Sequence, residues 1–496
     1  MNLKRNLGRS TAWMSLAATG NSIISFIIFI VLSRILSATD IGLVAFALIV
    51  VELGKIIVNA GFSQAVIQRA EWEDTYASTC FYLNITFSIV VTIITVLFAA
   101  PLVGHYYEPK SEDILKVLSI IFFLEGVKAV HEGKLKREFS FRVIALRTVL
   151  ASLLSGTLGI YLAMNGFGVW ALVFQQLTSQ ILITFVTIMS AKWKPTLTFS
   201  WVHTQQLLQF STPLMAAQFI GNLGSKIFEL LIGILMGPAA LGFFRVGGRA
   251  LYILQDVVLK PLESTTLSAL SRITQANQQA LSVLRVIRMS CYLTFPIFFG
   301  AAAIGPEFII LAFGERWALS GQIMTLLAIG IAPIVIGQQI NAALTASGNS
   351  RIVMVLAAIT FVGNCIVGLL MVPFGLLALA CGFAARTYIT LLFNVYFFKR
   401  IYQIDMLYVF KITAPSFTSS LIMFAALMSL KVIIGHTLPN ALLLPVLCVV
   451  GAIIYALSIR LIFKYETKLF FIESIDLAPT KFKNFLGSIQ RLIKLT

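Results

Sequence analysis

Fourteen stretches of roughly twenty residues or more, dominated by Leu, Ile, Val, Phe, Ala and Gly, follow one another along almost the whole chain. A run of that length and polarity satisfies its backbone only as a helix. A hydrocarbon core about 30 Å thick takes about 20 residues at a rise of about 1.5 Å each, so each run is long enough to span a bilayer. With Gly, Pro and charge clusters as punctuation, the helices are expected at 13–36, 41–60, 79–103, 114–130, 141–164 and 167–190, then at 210–235, 239–259, 286–313, 319–345, 350–371 and 375–398, with a last pair at 408–432 and 441–463. The expected fold class is all-α integral membrane with about 14 transmembrane helices. Composition agrees, since 58% of residues are hydrophobic, 11% are charged and the mean hydropathy is +0.93, values that no water-soluble surface accommodates. The alternating segments of a membrane β-barrel are missing.

Charge then encodes orientation. The 37 Lys and Arg exceed the 20 Asp and Glu by 17, and this excess points to topology, with no nucleic-acid partner expected. With the N-terminus inside, six basic residues fall on the 128–147 connection, six on 245–288 and seven on the tail from Arg460. The outside keeps Arg34, Lys110, Lys116, Arg316 and Lys431. Both termini are therefore expected in the cytoplasm. Lys4, Arg5 and Arg9 precede an apolar run to Leu36 that is long enough to span and has no cleavage site, so no removable leader is expected. The segment 481–494 carries Phe482, Phe485, Leu486, Ile489, Leu492 and Ile493 on one face with Lys481, Lys483, Arg491 and Lys494 around it, which reads as an interfacial basic helix or else as a frayed tail.

No enzyme signature emerges. The external connections run to no more than roughly ten residues, too short to carry the catalytic loop of a membrane polymerase or ligase. HExxH and a Walker lysine are absent, and Cys80, Cys291, Cys365, Cys381 and Cys448 stand singly, without disulfide or metal spacing. His105, His131, His203 and His436 fall in connections or at helix ends. No catalytic residue, metal or cofactor is expected.

The second half echoes the first. RILSATDIG at 34–42 resembles GILMGPAALG at 233–242, and GFGVWAL at 166–172 matches PFGLLAL at 373–379, each at an external hairpin and at offsets of about 200. Two parallel six-helix repeats are expected, 1–190 and 210–400, joined by a cytoplasmic linker at 191–209 and followed by two additional helices in 401–463 and a cytoplasmic tail at 464–496. Repeats of this kind enclose a site near the midplane and expose it to alternate sides, which points to transport.

The deep charges are the candidate site. Charge inside hydrocarbon normally faces a protein interior or a water-filled cavity. Glu52 and Lys55 are three residues apart on the second helix, either as a functional lining or as a pair that fixes packing. Lys226 and Glu229 repeat the spacing on the seventh helix, and Arg245 and Arg249 share one face of the eighth, with Glu125 on the fourth, Arg147 on the fifth and Arg386 on the twelfth. Lys226, Arg245, Arg249 and Arg386 are expected to contact an anionic substrate, because a guanidinium binds phosphate through two bonds at once; the alternative for Arg245 and Arg249 is pairing with Glu229 and Asp256. Glu52, Lys55, Glu125 and Glu229 are expected in gating or ion coupling. Asp40 is read as a helix N-cap or an outer-gate residue, and Arg34 as an outer-gate cation or an interfacial one.

The hairpin LSRILSATDIGLVAFA with GFSQAVIQR, the segment GKLKREFSFR at 133–142 and LLIGILMGPAALGFF at 230–244 together resemble the polysaccharide-transporter, Wzx-type branch of the multidrug/oligosaccharidyl-lipid/polysaccharide flippase superfamily, with likeness to colanic acid and teichuronic acid exporters. The resemblance covers most of residues 1–400. It implies a V-shaped, MATE-like pair of six-helix lobes whose helices 1, 2, 7 and 8 line a chamber. It implies as substrate an undecaprenyl-diphosphate-linked oligosaccharide, flipped across the bacterial cytoplasmic (inner) membrane for exopolysaccharide or lipopolysaccharide biosynthesis. Membrane lipids, a coupling ion (proton or sodium) and polysaccharide assembly proteins are the implied partners. Relatives often carry Asp or Asn five residues before the position of Gly233, where this chain has Phe228. Ion-coupled multidrug efflux on the same fold, a membrane polymerase or ligase, and a non-transporting scaffold are the alternative readings.

Overall fold

The computed structural model describes residues 3–59, 61–69, 71–270, 276–434, 438–464, 466 and 468. Helix is the only regular structure among them, with no strand. The chain divides into two compact units, residues 1–245 and 246–496.

The first unit begins with α1 (Leu3–Ile35), α2 (Ala38–Asn59) and the short α3 (Phe62–Gln68). Next come α4 (Asp74–Ile94) and α5 (Ala100–Tyr106), joined through a π-helical stretch at Thr95–Ala99 into one continuous 33-residue span. Pro101 has no N–H to continue the ordinary ladder, and it falls where that π register ends. The amphipathic α6 (Pro109–Leu118) turns Ile114, Leu115 and Leu118 inward and carries a Lys116–Glu112 pair at 2.6 Å. The break at Ser119 delays α7 to Ile120–Arg137, where sequence places a helix from 114. α8 (Phe141–Met164) has the predicted bounds, and α9 (Val169–Ala191) follows. α10 (Trp201–Met236) starts inside the stretch read as linker, because Ser200 caps it by accepting from His203 N at 3.4 Å.

α11 (Pro238–Leu270) runs across the division between units. The second unit continues with α12 (Ala276–Phe313), α13 (Ala318–Ile329), α14 (Ile331–Ala346), α15 (Ser350–Met371), α16 (Leu376–Tyr402), α17 (Met406–Ile434) and α18 (Asn440–Ile462). α13 and α14 together form the span expected at 319–345, bent by 41° at Gly330, three residues before Pro333.

Among the described residues, ten helices are long and apolar enough to cross a membrane, eleven with the bent pair counted as one span. This is a multi-pass membrane protein. Helix is present at every one of the fourteen expected stretches, but three of those stretches do not qualify as spans. Of α1, only Thr19–Ile35 is covered by described side chains, and that part is apolar. α7 carries Glu125, Lys128, Glu132, Lys134, Lys136 and Arg137, and α11 carries Arg245, Arg249 and Asp256. Among the described residues, length and apolarity thus support eleven of the fourteen expected spans.

In the first unit α7 is the central helix, in contact with α2, α3, α4 and α9. At one end of it an aromatic cluster forms from Phe62, Tyr76, Phe81 and Trp193, and His131, expected at a helix end, is buried within α7 with Nδ1 2.9 Å from the Val127 carbonyl. Trp72 and Trp193 both donate to Asp74 Oδ1, at 2.8 and 3.0 Å. In the second unit α12 is central, packed by α13, α14, α17 and α18 around buried Phe295, Phe298 and Phe299. Ser416 Oγ donates to the Cys291 carbonyl at 2.7 Å, and Lys431 meets Glu307 at 2.7 Å.

The α1–α2 and α10–α11 turns meet within the first unit. Ala38 opens α2 and Pro238 opens α11. A Cβ on Gly42 would run into the Pro238 carbonyl, and a Cβ on Gly242 would run into the Ala38 carbonyl. The contact is reciprocal between positions 200 apart in number, 42 with 242 and 38 with 238. Only glycine lets two backbones approach this closely.

Candidate functional site

The deep charges of the first unit pair between helices. Lys226 Nζ on α10 lies 3.1 Å from Glu52 Oε2 on α2. Three residues further along α10, Glu229 Oε2 lies 2.7 Å from Arg245 Nε on α11. Glu229 and Arg245 each stand seven residues from their common turn, about 10 Å along adjacent helices, which brings them face to face. The two pairs differ in shielding. The Glu52 side chain is 51% exposed, whereas that of Glu229 is 8% exposed.

The i, i+3 spacing on α2 and α10 therefore does not report the actual partners. Lys55 turns from Glu52 to Glu125, at 3.5 Å, and Lys226 turns from Glu229 to Glu52. For Arg245 the alternative of pairing with Glu229 is what the structure contains. Arg249 follows one turn later on α11 and is half-buried.

Glu125 gathers partners from several helices. It lies 3.0 Å from Lys128 Nζ and accepts from Asn59 Nδ2 at 3.1 Å and Gln180 Nε2 at 3.0 Å, so α2, α7 and α9 all converge on it. Asn59, Lys128 and Gln180 were not legible as site residues, although Asn59 is one turn from Lys55 and Lys128 one turn from Glu125. One layer further along α7, Glu132 meets Arg147 Nη2 at 2.9 Å and Lys136 at 2.8 Å, and Arg147 also bonds Thr187. These are interior networks that hold helices together.

Asp40 is not the N-cap of α2. Ser37 takes that place, and Asp40 is the third helical residue of a capping box. Its Oδ2 accepts from Ser37 Oγ at 2.6 Å and from Ser37 N at 3.1 Å, while Asp40 N donates back to Ser37 Oγ at 3.1 Å. Arg34 is exposed in the last turn of α1. Arg386 lies in the second unit, buried on α16 against Gly363 of α15. The structure thus brings Glu52, Lys55, Glu125, Lys226, Glu229 and Arg245 into one unit, and Arg386 is not among them.

Residues 31–322 match a family model described as "Polysaccharide biosynthesis protein", which takes in more than half of the 496 residues. The chain belongs to this family. Relatives of this chain include the succinoglycan biosynthesis transport protein ExoT of Rhizobium meliloti, 25% identical over 327 residues that cover 66% of each chain. The teichuronic acid biosynthesis protein TuaB of Bacillus subtilis is 23% identical over 64% of this chain and 66% of its own length, and the lipopolysaccharide biosynthesis protein WzxC of Escherichia coli is 21% identical over 66% and 68%. The aligned part spans just under two thirds of the first two relatives. Among solved structures, the lipid II flippase MurJ in an inward closed conformation matches with a TM-score of 0.76 at 13% identity, over 91% of this chain and 98% of MurJ. An inward-facing multidrug resistance MATE family transporter of the MOP superfamily matches with a TM-score of 0.55 at 15% identity, over 79% and 96%. The fold is therefore the one these flippases and transporters share.

Proposed function

We propose that this protein flips an undecaprenyl-diphosphate-linked oligosaccharide from the inner to the outer leaflet of a bacterial cytoplasmic membrane, supplying repeat units for exopolysaccharide or lipopolysaccharide assembly. The observation that carries the reading is the pairing of Lys226 with Glu52 and of Arg245 with Glu229 on three adjoining helices, in a family whose relatives are named for polysaccharide transport and synthesis. Both termini face the cytoplasm, as the basic connections suggest.

The site works by exchange of partners. A diphosphate entering beside α2 and α10 offers Lys226 and Arg245 stronger acceptors than single carboxylates, because guanidinium and phosphate match in a bidentate fork. Glu52 and Glu229 are released and take up a proton or sodium ion, which is how substrate occupancy and ion movement are coupled. Arg249 follows Arg245 one turn later on α11. The close crossing of Gly42 on Pro238 and Gly242 on Ala38 supports two parallel repeats, of the kind that transport by alternating access. Glu125, Lys55 and Lys128 hold α2 to α7 and α9 while that happens.

Reconstitution in liposomes tests the reading. A fluorescent undecaprenyl-diphosphate oligosaccharide should change leaflet with its structure intact, faster than in protein-free vesicles. A chemically altered lipid would make the protein an enzyme, and no transfer above the protein-free rate would remove the flippase assignment.

A further inference from the structure

Arg386 is placed unlike the other deep charges. It stands ten residues after Leu376 on the 27-residue α16, about 15 Å from that helix's start, so its side chain cannot snorkel to either interface. It is 7% exposed. Its stem lies against Gly363 of α15, where a Cβ would come within 3.2 Å of Cγ and 3.1 Å of Cδ. Nη1 donates to Thr390 Oγ1 at a long 3.4 Å, the Phe383 ring centroid is 5.0 Å from Cζ, and Nε is buried with no acceptor. Among the described residues it has no carboxylate partner, whereas Lys226, Arg245, Arg147 and Lys431 each have one. A guanidinium at mid-membrane supported by one weak hydrogen bond and one ring face is electrostatically incomplete.

The surroundings are polar along one stripe. Thr390 and Asn394 follow Arg386 one and two turns on; Asn394 is 4% exposed and its Oδ1 has no donor. The missing element is a negative charge small enough to lie between α15 and α16. A lipid-linked diphosphate does not fit that description, because the arginine stem is wedged against Gly363 and the helices are in contact.

We infer that the Arg386 guanidinium forms a binding site for a small monovalent inorganic anion of the halide class, lodged between α15 and α16; Thr390 Oγ1, which donates to the Arg386 carbonyl at 3.0 Å, holds the arginine in place. The bound halide neutralises the guanidinium and locks the two helices together. This site is independent of the lipid substrate, so it stands or falls apart from the flippase reading.

The test is thermal unfolding of the purified full-length protein in sodium chloride, bromide or gluconate at equal ionic strength. The wild type should gain a saturable rise in midpoint with chloride and bromide over gluconate, and Arg386→Met should lose that gain. A halide gain of the same size in Arg386→Met means an adventitious ion only and overturns the site, as does a wild type indifferent to halide. Anomalous scattering from bromide-soaked wild-type crystals covers the case in which Arg386→Met does not fold: a peak at the guanidinium supports the site, and its absence there overturns it.

Discussion

Lys226 Nζ lies 3.1 Å from Glu52 Oε2 and ties α10 to α2, while Lys55, on the same helix as Glu52, reaches the other way to Glu125 at 3.5 Å. The two contacts differ in what surrounds them. Glu52 is half exposed, and a pair of that kind holds with about 0–1 kcal/mol. Glu125 is 7% exposed and gathers donors from three helices. The first contact is weak enough to exchange for a substrate oxygen, and the second is built to stay.

Glu52→Gln should therefore leave Lys226 free of its resting partner and tighten substrate binding by up to about fivefold, the factor that matches about 1 kcal/mol. Turnover should fall with it, because the group that helps displace product is gone. Binding isotherms of the lipid-linked sugar beside single-turnover leaflet transfer separate the two effects; weaker binding in Glu52→Gln would remove the exchange mechanism.

Glu125→Ala should cost about 3–5 kcal/mol of stability, since the buried Lys128 and the half-buried Lys55 are left without their carboxylate. Glu125→Gln, which keeps an acceptor for Asn59, should cost less. Denaturation in detergent, followed by tryptophan fluorescence, measures both, and an Ala variant as stable as the wild type would contradict the structural role.

The capping box gives a prediction of the opposite kind. Asp40→Ala should lose about 1 kcal/mol of stability and leave the transport rate per folded molecule unchanged, because among the described residues Asp40 bonds Ser37 at its own helix start. A selective loss of transport at equal folded yield would instead make Asp40 a gate residue.

Gly42→Ala and Gly242→Ala should each push apart the crossing of the two turns, because the added Cβ meets a backbone carbonyl that has no rotamer to move. Transport should fall at least tenfold, corresponding to about 1.4 kcal/mol, in protein that still folds. A cysteine placed at Thr39 should become more reactive to a water-soluble maleimide in both variants. Unchanged labelling would show that the crossing tolerates the methyl group.

The helices were largely legible, because hydrophobic length and Gly or Pro punctuation are local signals; α8 and α15 have the expected bounds. α6 was missed because its single apolar face is shorter than a span, and the start of α10 was missed because Ser200 signals a cap only once Trp201 is seen to be helical. The pairing of charges was the least legible. A spacing of three or four residues states which side chains can meet on one helix, but such pairs are worth only about 0.2–0.5 kcal/mol. Packing of α2 against α7 and α10 overrides that, sending Lys55 to Glu125 and Lys226 to Glu52. The glycines of the two hairpins were legible as a repeat, while their reciprocal contact with Ala38 and Pro238 required the fold.

The central claim is that Lys226 and Arg245 bind the diphosphate of the substrate. Its most direct measurement is leaflet transfer of labelled undecaprenyl-diphosphate oligosaccharide in proteoliposomes carrying Glu52→Gln/Lys226→Gln or Glu229→Gln/Arg245→Gln, double variants that leave no carboxylate stranded. Transfer should fall at least tenfold in each, about 1.4 kcal/mol of lost contact, at wild-type folded yield. Wild-type transfer in both double variants would contradict the account.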